Sequence, residues 1–406
     1  MRRYVTVAAA LLLGASTLVV AGPAQAATPC APGPVTGCPR EVSGLGYTIR
    51  QDPVANAGAL HQALGASTYR DVSQVLDQAN RPMSPLSSAC RPDPAGLSAS
   101  ATFGFCWNSE DQGDDAFRWY PQGITTTADA LGVREYDGVQ AVAVTWYKRK
   151  SSDDETAVES RVSLAPAGGY NNGNNNYRHV LLVTPSGPNN FQQVPCHAGG
   201  AMWYGHLLYV ACTNTIRVYD WNYLHQVKAT SLPGEGFGRQ SDGKYYANGN
   251  LYVMVQVATI TNPSNNITFS SLSLDRLSSP DKLVVSGYHD TAGVNLWRFD
   301  LDYQTRMPAR PYAYDAYDLP FAYVQGATTR ADRFWFNSST SSPKLRFWNR
   351  TSGNQPVVYT GEYGAESVSY WPSGDGDGGV PDYLFTLTER KGKREVFAVR
   401  QADFNG

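Results

Sequence analysis

The segment CHAGGAMWYGHLLYVACTNTIRVYDW, residues 196–221, contains three short apolar runs separated by polar breaks. Apolar runs of this length, bounded by Gly, Asn, Asp and Ser, are typical of antiparallel β-strands. The same order of features occurs five times between residue 121 and the end of the chain. Each unit has a small-residue run, a turn, a hydrophobic run, a second turn, and a run with Arg before apolar or aromatic residues. The segment is therefore one unit of a repeat rather than a single catalytic loop.

A repeat of roughly 40–50 residues is usual for the blades of a β-propeller. One small sheet has two apolar faces, and stacking the sheets in a ring buries both. Small residues of the first run fit the crowded axis, and bulky residues of the later runs fit the gaps between blades. The axial residues are Gly123, Gly199, Gly200, Gly326 and Ala327, and the bulky ones are Trp221, Trp297 and Trp348.

We therefore predict an all-β fold, a five-bladed β-propeller closed by an N-terminal strand that pairs with the last blade. A sixth blade within residues 222–262, where KYYANGNLYVMVQVAT reads as strands, is an alternative. A β-sandwich with accidental self-similarity is another. A helical stripe at Leu60, Leu64, Tyr69, Val72 and Leu76 predicts one helix before the propeller.

Composition supports this fold class and restricts the partners. Charged residues make up 17% of the 406 residues, whereas 25 Tyr and 9 Trp are present, as expected for sheets with many aromatic pairs. The net charge of -2 gives no electrostatic footprint for nucleic acid.

The N-terminus predicts export. Residues 1–26 have a basic start, an apolar stretch and a small-residue Ala-Gln-Ala ending, which is the pattern of a secretory signal peptide. A membrane anchor is the alternative, but Pro23 and the lack of a basic flank after the apolar run oppose it. We predict a secreted, extracellular protein without a membrane span after signal removal. Residues 27–106 then form an extension with one helix and disulfides, and residues 107–406 form the propeller.

Six cysteines in an exported chain predict disulfides. Proximity in the sequence pairs Cys30 with Cys38, Cys90 with Cys106, and Cys196 with Cys212. Their spacing does not suit zinc.

The units PQGIT, HAGGAMWYGHLLYVACTNTIRVYD and VQGATT resemble the repeats of secreted NHL- and YVTN-type β-propellers. In plan the chain is similar to exported propeller proteins of Gram-positive soil bacteria. The resemblance covers about the last three-quarters of the chain and rests on degenerate repeats, so it implies a fold and not a function. In related lactonases and glycosidases, acidic residues from several inner strands meet at the axis.

Aligning the inner strands by their glycines gives a candidate ligand-binding ring at one mouth of the channel. The predicted members are Gln122, His197, Ser270, Gln325 and Glu366. The ring has one carboxylate, whereas glycoside hydrolysis normally uses two carboxyl groups in opposite protonation states. A polar ring with one carboxylate favours binding of a neutral polar ligand, and a purely structural axis remains open.

If the ring is catalytic, Glu366 and His197 are the candidate residues, with Glu366 orienting a general base at His197. No Gly-x-Ser-x-Gly nucleophile motif is present, so the sequence favours a core histidine bonded to backbone over a catalytic one.

Asp375, Asp377 and Asp382 in PSGDGDGGVPDYLF resemble calcium loops in which Asp and Gly alternate ahead of a strand. The loop departs from the calcium pattern, because Ser373 stands where an acidic or amide residue is usual and Asp382 lies one residue late. We therefore expect no cofactor and a flexible acidic hairpin, with calcium as the alternative. The acidic segment SEDQGDD, residues 109–115, reads as a solvated loop.

The sequence thus favours a secreted β-propeller that binds an extracellular ligand, either carbohydrate, in a lectin-like manner, or a protein partner. An extracellular hydrolase, glycosidase or lactonase, with its site at the axis is one alternative. A structural or interaction scaffold is the other.

Overall fold

The computed structural model describes residues 28–30, 37–113, 118–169, 175–228, 236–373 and 381–406. The predicted signal peptide and two residues of the predicted calcium loop, Asp375 and Asp377, lie outside these residues. In the described ranges, no helix is long and apolar enough to cross a membrane.

The N-terminal part alternates short strands with short helices. Its elements are β1 (Arg40–Ser43), β2 (Arg50–Pro53), α1 (Ala57–Leu64), α2 (Val72–Asp77), β3 (Arg81–Pro82), β4 (Ser84–Pro85), β5 (Phe103–Cys106) and α3 (Ser109–Gln112).

The single predicted helix is in fact two. Helix α1 ends at Gly65, whose φ of 89° lies outside the range of a right-handed helix. Helix α2 begins after Asp71, which accepts from the backbone N–H of Gln74 while the Gln74 side chain accepts from the N–H of Asp71. This reciprocal cap starts a new helix, so the apolar stripe continues through a break in the backbone.

The first two blades follow. Blade 1 contains β6 (Trp119–Thr126), then α4 (Thr127–Leu131), β7 (Ala141–Arg149), β8 (Ala157–Pro166), β9 (Asn176–Gly187) and an added β10 (Asn190–Gln193). Blade 2 contains β11 (Ala201–Tyr204), β12 (Leu207–Ala211), β13 (Thr215–Gln226), the separate hairpin β14 (Phe237–Arg239) and β15 (Tyr245–Ala247), and β16 (Tyr252–Thr261).

The last three blades are more regular. Blade 3 contains β17 (Ser271–Asp275), β18 (Lys282–Ser286), β19 (Gly293–Asp300) and β20 (Asp315–Leu319). Blade 4 contains β21 (Val324–Arg330), β22 (Arg333–Ser338), β23 (Lys344–Asn349) and β24 (Val357–Thr360). Blade 5 contains β25 (Ala365–Trp371), β26 (Tyr383–Thr388) and β27 (Glu395–Arg400), with β5 as its fourth strand.

These sheets form a closed ring, a five-bladed β-propeller. The first strands β6, β11, β17, β21 and β25 contact one another in that order, and β25 contacts β6 again. Among the described residues the buried apolar side chains fall into five clusters, each shared by neighbouring blades. Trp221, Trp297 and Trp348 lie in these layers, with at most 5% of each exposed. The predicted fold class and blade number are confirmed.

The ring closes as the sequence predicts, because β5 from the N-terminal part pairs with β27 of the last blade. The predicted alternative of a sixth blade is wrong for the described residues. Strand β16 pairs with β13 as the fourth strand of blade 2, and it also pairs in parallel with β9 of blade 1. The N-terminal part lies along the blades, since β1 pairs with β20, β2 with β16 and β3 with β9.

The predicted small residues allow the inner strands to approach closely at the axis. A Cβ added to Gly123 would lie 2.6 Å from the carbonyl carbon of Gly200 on the next blade. One added to Gly326 would lie 2.8 Å from the Cα of Ser367. The Ser367 hydroxyl donates to the Gly199 carbonyl at 2.9 Å, so hydrogen bonds also connect the blades across the axis.

The three predicted disulfides are present: Cys30–Cys38, Cys90–Cys106 and Cys196–Cys212. Cys196 precedes the first strand of blade 2 and Cys212 follows its second strand, so this bond joins two neighbouring strands.

Candidate functional site

A cavity of about 450 Å³ opens on the propeller axis, and every blade contributes to its wall. The predicted ring residues Gln122, His197, Ser270, Gln325 and Glu366 all line it. They meet because each lies in or just before the first strand of its blade, and these strands surround the common axis. The structure thus brings the whole predicted ring together, while its role in binding stays a prediction.

Three of the ring residues lie at β-bulges. The register between first and second strands shifts at Gln122 in blade 1, at Gln325 in blade 4 and at Glu366 in blade 5. A bulge inserts an unpaired residue and redirects its side chain, and bulges are frequent beside functional sites. The same irregularity in three blades thus places polar side chains at the cavity.

A second set of cavity residues comes from the ends of the second strands. Because the second strand of each blade runs antiparallel to the first, its end lies beside the start of the first strand. The alignment of first strands does not contain these residues, so the predicted ring lacks them. They are Tyr147, Arg149 and Glu155 in blade 1, Thr213 in blade 2, Tyr288 in blade 3 and Glu389 in blade 5.

Glu389 supplies the second carboxyl group that the predicted ring lacked. It follows β26, is largely buried, and accepts a hydrogen bond of 2.7 Å from the side-chain amide of Gln122. Glu366 on the neighbouring strand is 3% exposed, and its carboxyl group has no hydrogen-bond partner among the described residues. Two glutamates in different surroundings therefore face one cavity.

The surroundings separate the protonation states of the two groups. Burial, and then the charge of Glu389, raises the pKa of Glu366 well above its usual range. Burial also raises the pKa of Glu389, but the Gln122 amide and the Arg149 and Arg394 guanidinium groups oppose this rise. A proton shared by the pair therefore resides on Glu366, and Glu389 is the carboxylate.

Helix α3 holds the hairpin that presents Glu389. The Arg394 guanidinium donates to the backbone carbonyls of Glu389 at 2.8 Å and of Asp111 at 2.7 Å. The Gln112 side chain accepts from the backbone N–H of Arg394 at 2.9 Å, and the N–H of Gly392 donates to the carbonyl of Gln112 at 2.6 Å. The N-terminal part of the chain thus fixes one of the two carboxyl groups.

His197 does not adopt the role predicted for a catalytic ring. Its imidazole stacks on Tyr147, with ring centroids 4.3 Å apart, and it makes no hydrogen bond with Glu366. Desolvation of the imidazole by the surrounding protein and, second, the positive charge of Arg149 lower the pKa of His197, so the ring is neutral at pH 7. It is exposed to the cavity, in contrast to the expected core histidine bonded to backbone, and offers a flat face and ring nitrogens to a ligand.

The rim of the cavity carries exposed aromatic side chains and unusual backbone. Tyr288 is 41% exposed and Tyr323 is 37% exposed, with their ring centroids 5.9 Å apart. Tyr323 and Thr213 both have positive φ angles, of 58° and 63°. Side chains other than glycine rarely adopt this conformation, and it is concentrated at functional sites.

A second group of chemically capable side chains lies away from the axis but is closed to substrates. The His179 Nδ1 atom lies 2.7 Å from the Ser163 hydroxyl, and its Nε2 atom lies 3.0 Å from the Asp111 carboxylate. A serine, a histidine and an aspartate that are linked by hydrogen bonds in this order resemble the triad that performs acyl transfer in hydrolases. However, Ser163 is 0% exposed, so the group is structural.

The buried position of Asp111 corrects the expectation of a solvated acidic loop. Asp111 is 4% exposed and accepts hydrogen bonds from Arg161 at 2.7 Å and from Arg81 at 3.2 Å. A carboxylate buried among two guanidinium groups ties α3 to blade 1.

Of the predicted calcium ligands, only Asp382 lies within the described residues. It accepts hydrogen bonds from the Tyr370 hydroxyl and the Ser373 N–H. The described ranges contain no group of three or more His, Cys, Asp or Glu side chains arranged to hold a metal. A calcium site therefore stays a prediction.

No family model matches this chain, and no curated protein matches it. Among solved structures it is similar to a GH43_1 enzyme from Xanthomonas citri, with 8% identity, a TM-score of 0.36, and coverage of 75% of this chain and 91% of that one. For the same enzyme complexed with xylotriose, the identity is 9% and the TM-score is 0.37. For its complex with xylose, the identity is 8% and the TM-score is 0.35, and the coverage of both chains is the same in each comparison. A likeness this loose assigns no chemistry to this chain, and its fold follows from its own strand pairing.

Proposed function

We propose that this protein is an exported glycoside hydrolase that acts in the axial cavity. The observation that carries the proposal is the pair Glu366 and Glu389, two carboxyl groups that line one cavity in surroundings that favour the protonated form of Glu366 over that of Glu389. Hydrolysis of a glycosidic bond needs this combination, an acid for the leaving oxygen and a carboxylate on the other side of the sugar. The single carboxylate of the predicted ring had favoured binding, and the second reverses that preference.

The two glutamates have different roles in the proposed reaction. Glu366 donates its proton to the glycosidic oxygen as the bond from that oxygen to the anomeric carbon breaks. Glu389 accepts a proton from the water whose oxygen forms the new bond to that carbon. Each product gains one hydroxyl group, and the proton taken by Glu389 returns to Glu366 through solvent before the next turnover.

The remaining wall suits a sugar. Gln122, Gln325 and Ser270 offer neutral hydrogen-bonding groups, and Tyr288 and the His197 ring offer flat faces. A sugar ring has hydroxyl groups at its edge and C–H groups on its faces, so it matches such a mixed wall. The cavity volume of about 450 Å³ is within the range of small-molecule sites.

Export is the second part of the proposal. The predicted signal peptide of residues 1–26 supports it, as do three disulfides, which form and persist in oxidising compartments. Outside the cell, the substrate is an extracellular glycan.

A lectin-like binding protein is the second candidate, and the exposed tyrosines at the rim favour it. Tyr288 and Tyr323 present aromatic surface to solvent, where a glycan stacks without any chemical step. Under this alternative the same ring binds a glycan or a protein partner, and Glu366 serves as a hydrogen-bond donor.

Activated substrates separate the roles of the two glutamates. We expect the wild type to hydrolyse glycosides from a panel of nitrophenyl and dinitrophenyl sugars. Glu366→Gln should lower kcat on nitrophenyl substrates by about 10²–10⁴-fold, the usual contribution of a general acid. It should retain most activity on dinitrophenyl glycosides, whose leaving group needs no proton. Glu389→Gln should lose activity on both.

A matched control and the pH profile complete the test. Glu41→Gln alters an exposed glutamate on β1 that pairs with Arg350, and it should keep the wild-type rates. The wild-type pH profile of kcat/KM should be bell-shaped, with its acidic limb from Glu389 and its basic limb from Glu366. Binding of a glycan without turnover of any substrate on the panel would replace the hydrolase with the lectin-like candidate.

A further inference from the structure

Arg149 is the cationic side chain in the cavity wall, and its guanidinium group is held in a fixed position. The group lies 3.9 Å from the ring centroid of Tyr120, and its Nε atom donates to the Tyr147 hydroxyl at 3.0 Å. Tyr147 is itself fixed, since it is 1% exposed and stacks on His197. Arginine held in this way binds a planar anion without first losing side-chain freedom.

The carboxylate that now pairs with Arg149 is poorly held. The Glu155 side chain lies 2.6 Å from the Nη1 atom of Arg149, but 73% of it is exposed, compared with 17% for Arg149. An ion pair with one partner so exposed contributes little. The Nη2 atom of Arg149 has no hydrogen-bond partner among the described residues. One side of the guanidinium group is thus covered by a replaceable carboxylate, and the other is open.

We propose that Arg149 binds the carboxylate of an acidic sugar, so that the substrate is a uronic acid glycan. This inference rests on the proposed carbohydrate function of the cavity and names the substrate class. A uronate carboxylate makes two parallel hydrogen bonds with a guanidinium group, which Glu155 does not.

The charges of the cavity agree with this exchange. Glu389 accepts a hydrogen bond from Gln122, and the Arg394 guanidinium group as well as Arg149 favours its charged form, so Glu389 does not depend on Arg149 alone; burial favours the neutral form of Glu366. When a substrate carboxylate replaces Glu155, Glu155 moves into water and one negative charge replaces another beside Arg149. A neutral sugar leaves the existing ion pair unchanged and gains nothing from Arg149.

Binding to the Glu366→Gln variant tests the substrate class without turnover, because glutamine resembles the protonated glutamate. The probes are trimers of galacturonate, guluronate and mannuronate and a glucuronate-containing disaccharide, each as free acid and as methyl ester. The ester keeps the ring and removes the charge. In calorimetry at pH 7 and low salt, at least one free acid should bind about tenfold or more tighter than its ester, as expected for charge-assisted hydrogen bonds.

Two further substitutions in that background should change the preference in opposite directions. Arg149→Gln should abolish the preference for the free acid. Glu155→Gln should increase affinity for the free acid by about two- to fivefold, because it removes the competing carboxylate. If the ion pair of Arg149 and Glu155 only stabilised the structure, both variants would bind the free acid more weakly. Arg306→Gln is the control, because Arg306 also lies 3.9 Å from a tyrosine ring, that of Tyr303, but does not line the cavity. It should keep the preference.

The outcomes separate this inference from the proposed function. Equal binding of acid and ester for every probe, or a preference that survives Arg149→Gln, would overturn the acidic substrate class. Hydrolysis of neutral glycosides would then still support the hydrolase. A free-acid preference that depends on Arg149, in a wild type that hydrolyses nothing, would support the acidic ligand and reject the hydrolase.

Discussion

Replacing Asp111 by asparagine should destabilise the protein by about 3–5 kcal/mol, the usual cost of leaving a buried charge without its partner. Asp111 accepts hydrogen bonds from Arg161 at 2.7 Å and from Arg81 at 3.2 Å. The Arg161 side chain is 5% exposed, so water cannot replace the lost carboxylate. Asparagine keeps the shape and removes the charge, which makes the change an electrostatic one.

The effect should depend on pH in a defined direction. Burial alone would raise the pKa of Asp111, but His179, which hydrogen-bonds to its carboxylate, and the Arg161 and Arg81 guanidinium groups hold it well below its usual range. Burial lowers the pKa of His179 to about 3, so this neighbour is neutral at pH 7 and donates its Nε2 proton to the carboxylate. A carboxyl group with a lowered folded pKa stabilises the protein above its unfolded pKa of about 3.9 and loses this contribution as the pH falls. The difference between wild type and Asp111→Asn should therefore be full at pH 7 and shrink below about pH 4.

Urea unfolding followed by tryptophan fluorescence measures this difference, with the disulfides intact. Glu110→Gln is the control, because Glu110 is on the same helix and pairs with the same Arg81, but 58% of its side chain is exposed. Its loss should cost no more than about 1 kcal/mol. If Asp111→Asn also costs less than 1 kcal/mol, the account of a buried carboxylate that anchors α3 is wrong.

Four further changes test other parts of the structure. Glu366→Gln should raise the melting temperature at pH 8 but not at pH 4. Burial and the charge of Glu389 raise the pKa of Glu366 in the folded protein. Above the unfolded pKa of this group, the wild type therefore loses up to about 1.4 kcal/mol of folding free energy for each unit of this rise. Removing the disulfide between Cys196 and Cys212, 16 residues apart, should cost about 3 kcal/mol in urea unfolding. Peptide mapping without reduction should find these two cysteines linked. Gly123→Ala should lower the free energy of unfolding by roughly 1–3 kcal/mol, and the melting temperature with it, because the added Cβ would meet the next blade. An unchanged melting curve would refute the close approach. Finally, if Asp375, Asp377 and Asp382 bind calcium, chelation should lower the melting temperature and added calcium restore it. An identical curve with chelator would favour the acidic hairpin.

The sequence by itself was sufficient to predict the propeller and the N-terminal strand that closes it. The alternation of short apolar runs with polar breaks is a local pattern, and the pattern of residues 196–221 reappears as β11, β12 and β13. The disulfides were also predictable, because each joins cysteines close in sequence. The inner-strand alignment found the five residues of the ring, since equivalent positions of a closed repeat surround one axis.

The tertiary structure decided what the repeat pattern does not contain. Glu389 directly follows β26 and Arg149 is the last residue of β7, both beside ordinary polar connections, and only antiparallel pairing brings them beside the first strands. The same holds for KYYANGNLYVMVQVAT, whose strand-like pattern does not specify which blade β16 joins.

Burial was the other property that local sequence did not reveal. Asp111 is in a run of charged and polar residues that suggests solvent, but α3 packs it against arginines from distant segments. Hydrophobic periodicity is set by neighbours along the chain, so it predicts strands and their faces. The protonation states of Glu366 and Glu389 are set by groups far apart in sequence and close in space, and for that reason only the fold determines them.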